Sequence, residues 1–295
     1  MSAPKPRRSE IWFNDKAEPG ETAVYLERYP TWGLTRGEMQ AGRPVIGIAQ
    51  SGSELTPCNR IHLALTARIK EGIRDAGGIS FEFPIHPIQE SCRRPTAALD
   101  RNLAYLGLVE ILVGYPFDGV VLTTGCDKTT PASLMAAATV NMPAIVLSGG
   151  PMLDSYVNGK LGGSGTALWE ARRQLAAGNI TADELIEITM ATSPSPGHCN
   201  TMGTALSMNS LAEALGMSLP GCAASQRPVA GEVSKAGGTA SRGTASASNM
   251  ASRSSGCKNT SVACNSRASS GRWGPAMNCA VVQRPTLVRK ISSGS

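Results

Sequence analysis

The chain has 295 residues, a formal net charge of +6, 41% hydrophobic residues and only 4% aromatic ones. That length suits one large domain or two small ones around an aliphatic core. No apolar run reaches the roughly 18 residues of a membrane span, and no apolar segment follows the basic residues of MSAPKPRRSEIWFNDK, so neither a membrane protein nor a secretory leader is expected and a cytoplasmic location is.

The charge is unevenly spread. Residues 225–295 hold ten Lys and Arg but a single acid, Glu232, which leaves a net −3 on residues 1–224. The basic character belongs to the tail, and average charge is no argument for nucleic-acid binding by the rest.

Residues 1–43 read as a polar lead-in with scattered aromatics: Trp12, Phe13, Tyr25, Tyr29 and Trp32. PVIGIA, 44–49, predicts a short buried strand with the polar exit loop QSGSELTPCN. In RIHLALTARIKEGIRDAGG, Ile61, Leu65, Ile69 and Ile73 form one helical stripe that Gly77-Gly78 stops. ISFEFPI, 79–85, alternates like a strand and runs into HPIQESCRRPTA; NLAYLGLVEILVG is a second apolar helix. DGVVLT, 118–123, is the next buried strand and GCDKTT its exit loop. PASLMAAATVN predicts a helix with Pro131 in its first turn. PAIVLS, 143–148, is a further strand, and GKLGGSGT a glycine-rich loop. Thr181 and Glu184 have capping-box spacing ahead of LIEITMAT. SPSPGHCNTMGT is a loop before the helix ALSMNSLAEALG, ended by Gly216. Strands alternating with helices predict an α/β fold with a mostly parallel sheet, whose ligands sit at the carboxyl ends of the strands.

After GCAA, 221–224, the pattern stops. Residues 225–295 contain fifteen Ser, ten Ala, eight Gly and no Phe or Tyr. Such a segment cannot bury enough apolar surface to offset chain entropy, and disorder is expected.

Cys58, Cys126 and Cys199 each lie in a polar loop just ahead of a predicted helix, a setting that favours a thiolate. Three such thiolates from one sheet edge could hold a metal cluster with one iron left open. Three small buried side chains near loop ends satisfy the same spacing. Asp127 beside Cys126 calls for a nearby cation, a role open to Lys128; the alternative is a helix-capping Asp and a solvated Lys. Glu90, in another strand-exit loop, could join Asp127 on a hard cation such as Mg²⁺ or be a surface acid. His86 and His198 flank these loops as candidate donors or as ordinary hydrogen-bonded histidines. GGSGT, 162–166, lacks the Walker pattern and could cradle an anion or be a plain loop.

Together QSGSELTPCNR, FPIHPIQES, RPTAALDRNLAYLGLVE, LTTGCDKTTPA, GHCNTMGTA and MNSLAEALGMSLPG resemble the dihydroxy-acid and sugar-acid dehydratase (IlvD/Edd) family, above all its arabinonate and xylonate branch. The resemblance runs from about residue 10 to residue 224, so that 44–224 correspond to the family's N-terminal α/β domain. It implies an iron–sulfur cluster, [2Fe–2S] or [4Fe–4S], on Cys58, Cys126 and Cys199. It implies Mg²⁺ on Glu90, Asp127 and a carbamylated Lys128. It implies loss of water from a 2,3-dihydroxy sugar acid to give a 2-keto-3-deoxy acid, in a homo-oligomer. The branched dihydroxy acids of valine and isoleucine synthesis are the alternative substrates.

The resemblance also implies a C-terminal β-barrel-like domain that supplies a serine base and a further acidic Mg²⁺ ligand. No counterpart of it follows SLPGCAA. The abrupt change to SQRPVAGEVSKAGG reads as a reading-frame shift near Ser225, and a chain so altered is expected to be inactive. Tail serines such as Ser234 therefore receive no catalytic role. Cys257, Cys264 and Cys279 fit no usual zinc spacing. A non-catalytic remnant with a nucleic-acid-binding tail is the competing reading, against which stand the scattered arginines and the one stacking residue, Trp273.

Overall fold

The computed structural model describes residues 6–90, 92–94 and 98–225. The expectation of tail disorder concerns 225–295, of which all but Ser225 lies outside the described residues.

Four parallel strands, β1 (Val45–Gln50), β2 (Ile79–Pro84), β3 (Gly119–Thr124) and β4 (Ala144–Ser148), lie in the order β2-β1-β3-β4. Every residue of β1 and β3 is buried, because both central strands are covered on two faces. Their register pairs Ile46 with Gly119 and Ile48 with Val121. Alternate side chains then feed two layers. Ile46, Ile48 and Val121 pack with Ile69 and Ile73 of α4 (Ile61–Asp75). Val45, Ala49, Val120 and Leu122 face the other way, toward Leu108 and Leu112 of α5 (Ala98–Gly114) and Ala136 and Ala137 of α6 (Thr129–Val140). The result is the expected α/β sandwich of helix, parallel sheet and helix.

The lead-in is more ordered than its composition suggests. It carries α1 (Arg8–Phe13), α2 (Pro19–Leu26) and α3 (Arg36–Gln40). Phe13 is buried, Trp12 stacks on Tyr25 at 4.3 Å, and Tyr29 stacks on Phe81 of β2 at 5.0 Å. Asp118 ties this segment to the amino end of the sheet: it accepts from Ser9 Oγ at 2.6 Å and from the Val45 N–H at 2.8 Å. The aromatics are too sparse for a helical period, yet Trp12, Phe13, Tyr25 and Tyr29 find tertiary partners, while Trp32 stays exposed.

Two further segments differ from expectation. GKLG is not loop. Ser155–Val157 (β5) and Lys160–Gly162 (β6) form an antiparallel hairpin, turned at Asn158-Gly159, both with positive φ. An Asn-Gly pair is the standard tight-turn signal. Thr166–Ala176 forms α7, which no predicted element covered. Ala182–Ala191 (α8) starts at the expected capping box, and Thr204–Ala214 (α9) ends before Gly216, whose φ is +71°. The chain then returns to the sheet edge, where the Val146 N–H donates to Met217 O at 2.7 Å. Among the described residues no helix is long and apolar enough to cross a membrane.

Candidate metal centre

The loop after β1 carries Cys58, the loop after β2 carries Glu90, and the turn after β3 carries Cys126, Asp127 and Lys128. The fourth strand reaches the site indirectly: past β4, Pro151 pairs with His198, which sets down Cys199 next to it. The strand order reverses between β1 and β3, because β2 lies on one side of β1 and β3 on the other. Exit loops diverge at such a point and leave a crevice. Cys58 and Cys126 stand on its two sides.

The three thiols meet there. Cys58 lies within hydrogen-bonding reach of both Cys126 and Cys199. Cys126 is buried; Cys58 and Cys199 are half-buried. The two neighbouring thiols, and then burial, push the Cys58 thiol far above its ordinary value. The hydrogen bond from Cys58 outweighs burial at Cys199 and, with one from Ser164, lowers it to about 7.

Beside the thiols stands a second group. Lys128 Nζ lies 2.8 Å from Glu90 Oε2 and 3.6 Å from Asp127 Oδ2. Burial draws the Lys128 pKa down, but the hydrogen bond and charge of Glu90 and the charge of Asp127 prevail and leave it above its ordinary value. Cys126 Sγ approaches Asp127 Oδ1 at 3.0 Å, so the two groups share an edge. Asp127 does not cap α6; the residue before that helix is Lys128, whose side chain makes no cap bond.

The crevice is held by buried polar side chains that sequence reading passed over. Asn59 Oδ1 accepts from the Cys126 N–H at 2.9 Å. Asn209, on α9, accepts from Thr124 Oγ1 at 3.0 Å and donates to Gly125 O at 3.3 Å. His62 Nε2 lies 2.7 Å from Thr124 O and stitches α4 to the end of β3. Of the histidines that were singled out, His86 is exposed, and His198 is buried with Nδ1 3.0 Å from Cys199 O. Burial lowers the His198 pKa, against the Cys199 carbonyl, which raises it. In the GGSGT turn the Gly163 N–H donates to Thr166 Oγ1 at 3.1 Å and the Ser164 N–H to Asn200 Oδ1 at 3.0 Å. It braces the Cys199 loop, with Thr201 Oγ1 donating to Ser164 O at 2.9 Å.

Among the described residues no three His, Cys, Asp or Glu side chains form a ready single-ion cage. The second group includes only two acids, with an ammonium between them where a cation would sit. An iron–sulfur cluster needs no single-ion cage, because it brings its own sulfide. The thiol set has the donor chemistry of an iron–sulfur cluster, whereas the acid set carries an ammonium where a divalent ion would sit.

The model of the dihydroxy-acid/6-phosphogluconate dehydratase N-terminal domain matches residues 43–262. The chain belongs to this family. The match covers the whole crevice and continues past the change of composition at residue 225. Among curated family members, a D-xylonate dehydratase of Caulobacter vibrioides is 63% identical over 225 residues, 76% of this chain and 38% of the relative. An L-arabonate dehydratase of Azospirillum brasilense is 48% identical over 75% of this chain and 37% of its own length. A dihydroxy-acid dehydratase of Clostridium pasteurianum is 37% identical over 70% of this chain and 73% of its own length. The chain thus spans well under half the length of the sugar-acid relatives.

Proposed function

We propose that this chain supplies the metal-binding part of a dehydratase, a carbon–oxygen lyase, acting on a sugar acid such as xylonate or arabinonate. The observation that carries the proposal is the meeting of three thiols from loops after β1, after β3 and before α9, side by side with a carboxylate–lysine–carboxylate group. Cys58, Cys126 and Cys199 would hold an iron–sulfur cluster, and Glu90, Asp127 and Lys128, the last as its carbamate, would hold Mg²⁺. When bound, these two supply Lewis acids for the carboxylate, the 2-hydroxyl and the departing 3-hydroxyl of the substrate.

The protein's own residues do the rest of the work in this part. Asp127 follows Cys126 directly, so one backbone turn sets the spacing of both donor groups. Glu90 and Asp127 concentrate negative charge that Lys128 offsets only in part. Loss of a proton from the Lys128 ammonium and addition of CO2, with release of a second proton, would turn that cation into a carbamate and leave three anionic groups to hold a divalent ion. Burial of Cys126 keeps water from the inner side of the thiol group. The base that takes the C2 proton belongs, by the resemblance, to the C-terminal domain, and turnover is proposed for the assembled protein.

Identity favours a sugar acid over a branched dihydroxy acid, at 63% and 48% against 37% to 39%. The test is anaerobic reconstitution of the full chain with iron and sulfide, read by visible absorption and electron paramagnetic resonance (EPR). A cluster that forms in the wild type and is lost in each of Cys58→Ser, Cys126→Ser and Cys199→Ser is the expected result. Equal iron and sulfide in all four proteins would sink the proposal.

A further inference from the structure

The geometry points to Asn59 as the residue that positions Cys126 and, through it, both donor groups. This inference rests on the cluster reading above. Asn59 is completely buried. Its Oδ1 accepts the Cys126 N–H at 2.9 Å, and its Nδ2 donates to Thr129 Oγ1 at 3.3 Å. The Thr129 hydroxyl in turn donates to Cys126 O at 3.2 Å, and Thr130 Oγ1 donates to the same oxygen at 3.0 Å. One amide thus controls the N–H of Cys126 directly and its carbonyl through one hydroxyl.

Asn59 follows Cys58 in the chain, so the same side chain locks the first cysteine loop onto the third strand's exit turn. The turn is shaped to receive it. A Cβ at Gly125 would stand 2.7 Å from Asn59 Oδ1 and 3.2 Å from Cys58 O. From the other side, Asn209 holds Gly125 O at 3.3 Å, and it too is buried. The Gly125-Cys126 segment is gripped between two amides, and its thiol can point only where they allow. Partners of this kind orient metal ligands without touching the metal, and their loss weakens affinity about 10–100-fold.

The experiment uses the full chain, reconstituted anaerobically, as wild type and as Asn59→Ala, Asn59→Ser and Thr181→Ala. The last removes a helix cap whose bonds go only to Glu184 and reports loss of stability alone. Readouts are iron and sulfide per chain, the EPR spectrum and midpoint potential of the reduced cluster, and far-UV circular dichroism. The expected result is native circular dichroism in all four. Iron retention against a chelator falls about tenfold or more in Asn59→Ala, and Asn59→Ser shows a shifted EPR spectrum and potential. Thr181→Ala matches the wild type in both. If Asn59→Ala does not fold, Asn59→Ser alone decides, because its hydroxyl is too short to bridge Cys126 and Thr129. Wild-type spectra and iron retention in the folded Asn59 variants would overturn the inference and leave the cluster reading intact. A wild type that takes up no cluster would overturn both.

Discussion

At the scale of single residues, the crevice depends on atoms that are absent as much as on those present. Gly125 has no side chain because Asn59 Oδ1 occupies the space where one would begin. Gly125→Ala should displace that amide and destabilise the protein by about 1–3 kcal/mol, as overpacking a tight site does. Thermal unfolding measures the loss, and reconstitution should show less iron per chain. The six residues proposed as donors are conspicuous in the sequence, because Cys, Asp, Lys and Glu stand there in polar loops. Asn59 and Asn209 are not. Their partners lie 67 and 84 positions away, and a side-chain amide bonded to distant backbone leaves no local period to detect. The one hint is that Asn59 and Asn200 each follow a cysteine directly, whereas Asp127 follows the third.

At the scale of elements, local rules that act within a few residues were legible and those that need a partner were not. The Thr181–Glu184 box opens α8 as its spacing predicts: Thr181 Oγ1 accepts from the Glu184 N–H at 3.2 Å, and the Thr181 N–H donates to Glu184 Oε2 at 2.7 Å. Thr181→Ala should cost about 1 kcal/mol, measured by thermal unfolding at neutral pH. The two bonds from Thr181, backbone first, hold the Glu184 carboxyl below its ordinary 4.5. A lowered carboxyl stabilises the fold above its unfolded-state pKa, and that share is lost as pH falls through the folded-state value. Melting curves from pH 6 down to pH 3 should therefore show a small acid-dependent loss that Glu184→Gln lacks. The β5–β6 hairpin was missed even though Asn158-Gly159 is a strong turn signal, because three-residue strands are too short to show alternation. Helix α7 was missed for a different reason. It buries only Ala171 and leaves Trp169 65% exposed, although Leu168, Ala171 and Leu175 recur at helical spacing.

At the scale of the whole molecule, sheet order does what no single motif can. Placing β3 against β1 rather than β2 opens the crevice between the loops that carry Cys58 and Cys126. The alternation of strands and helices foretold a parallel sheet, but this order is a matter of tertiary packing and leaves no mark on local sequence. The site joins loops from four places along the chain, so anything bound there cross-links them in the folded state alone. Loading the cluster should raise the melting temperature, and chelation of iron should lower it by several degrees; calorimetry under anaerobic conditions with and without chelator checks this.

The Pro151–His198 pairing that delivers Cys199 has a consequence for biosynthesis. On a ribosome the thiols emerge in the order Cys58, Cys126, Cys199. The last donor arrives just before α9, whose Asn209 then closes on the β3 turn. Domains fold as units while translation proceeds. In a protein as long as the D-xylonate dehydratase of Caulobacter vibrioides, the part matched here is 38% of the whole. Iron and sulfide would find a finished nest of thiols while most of such a polypeptide was still being made.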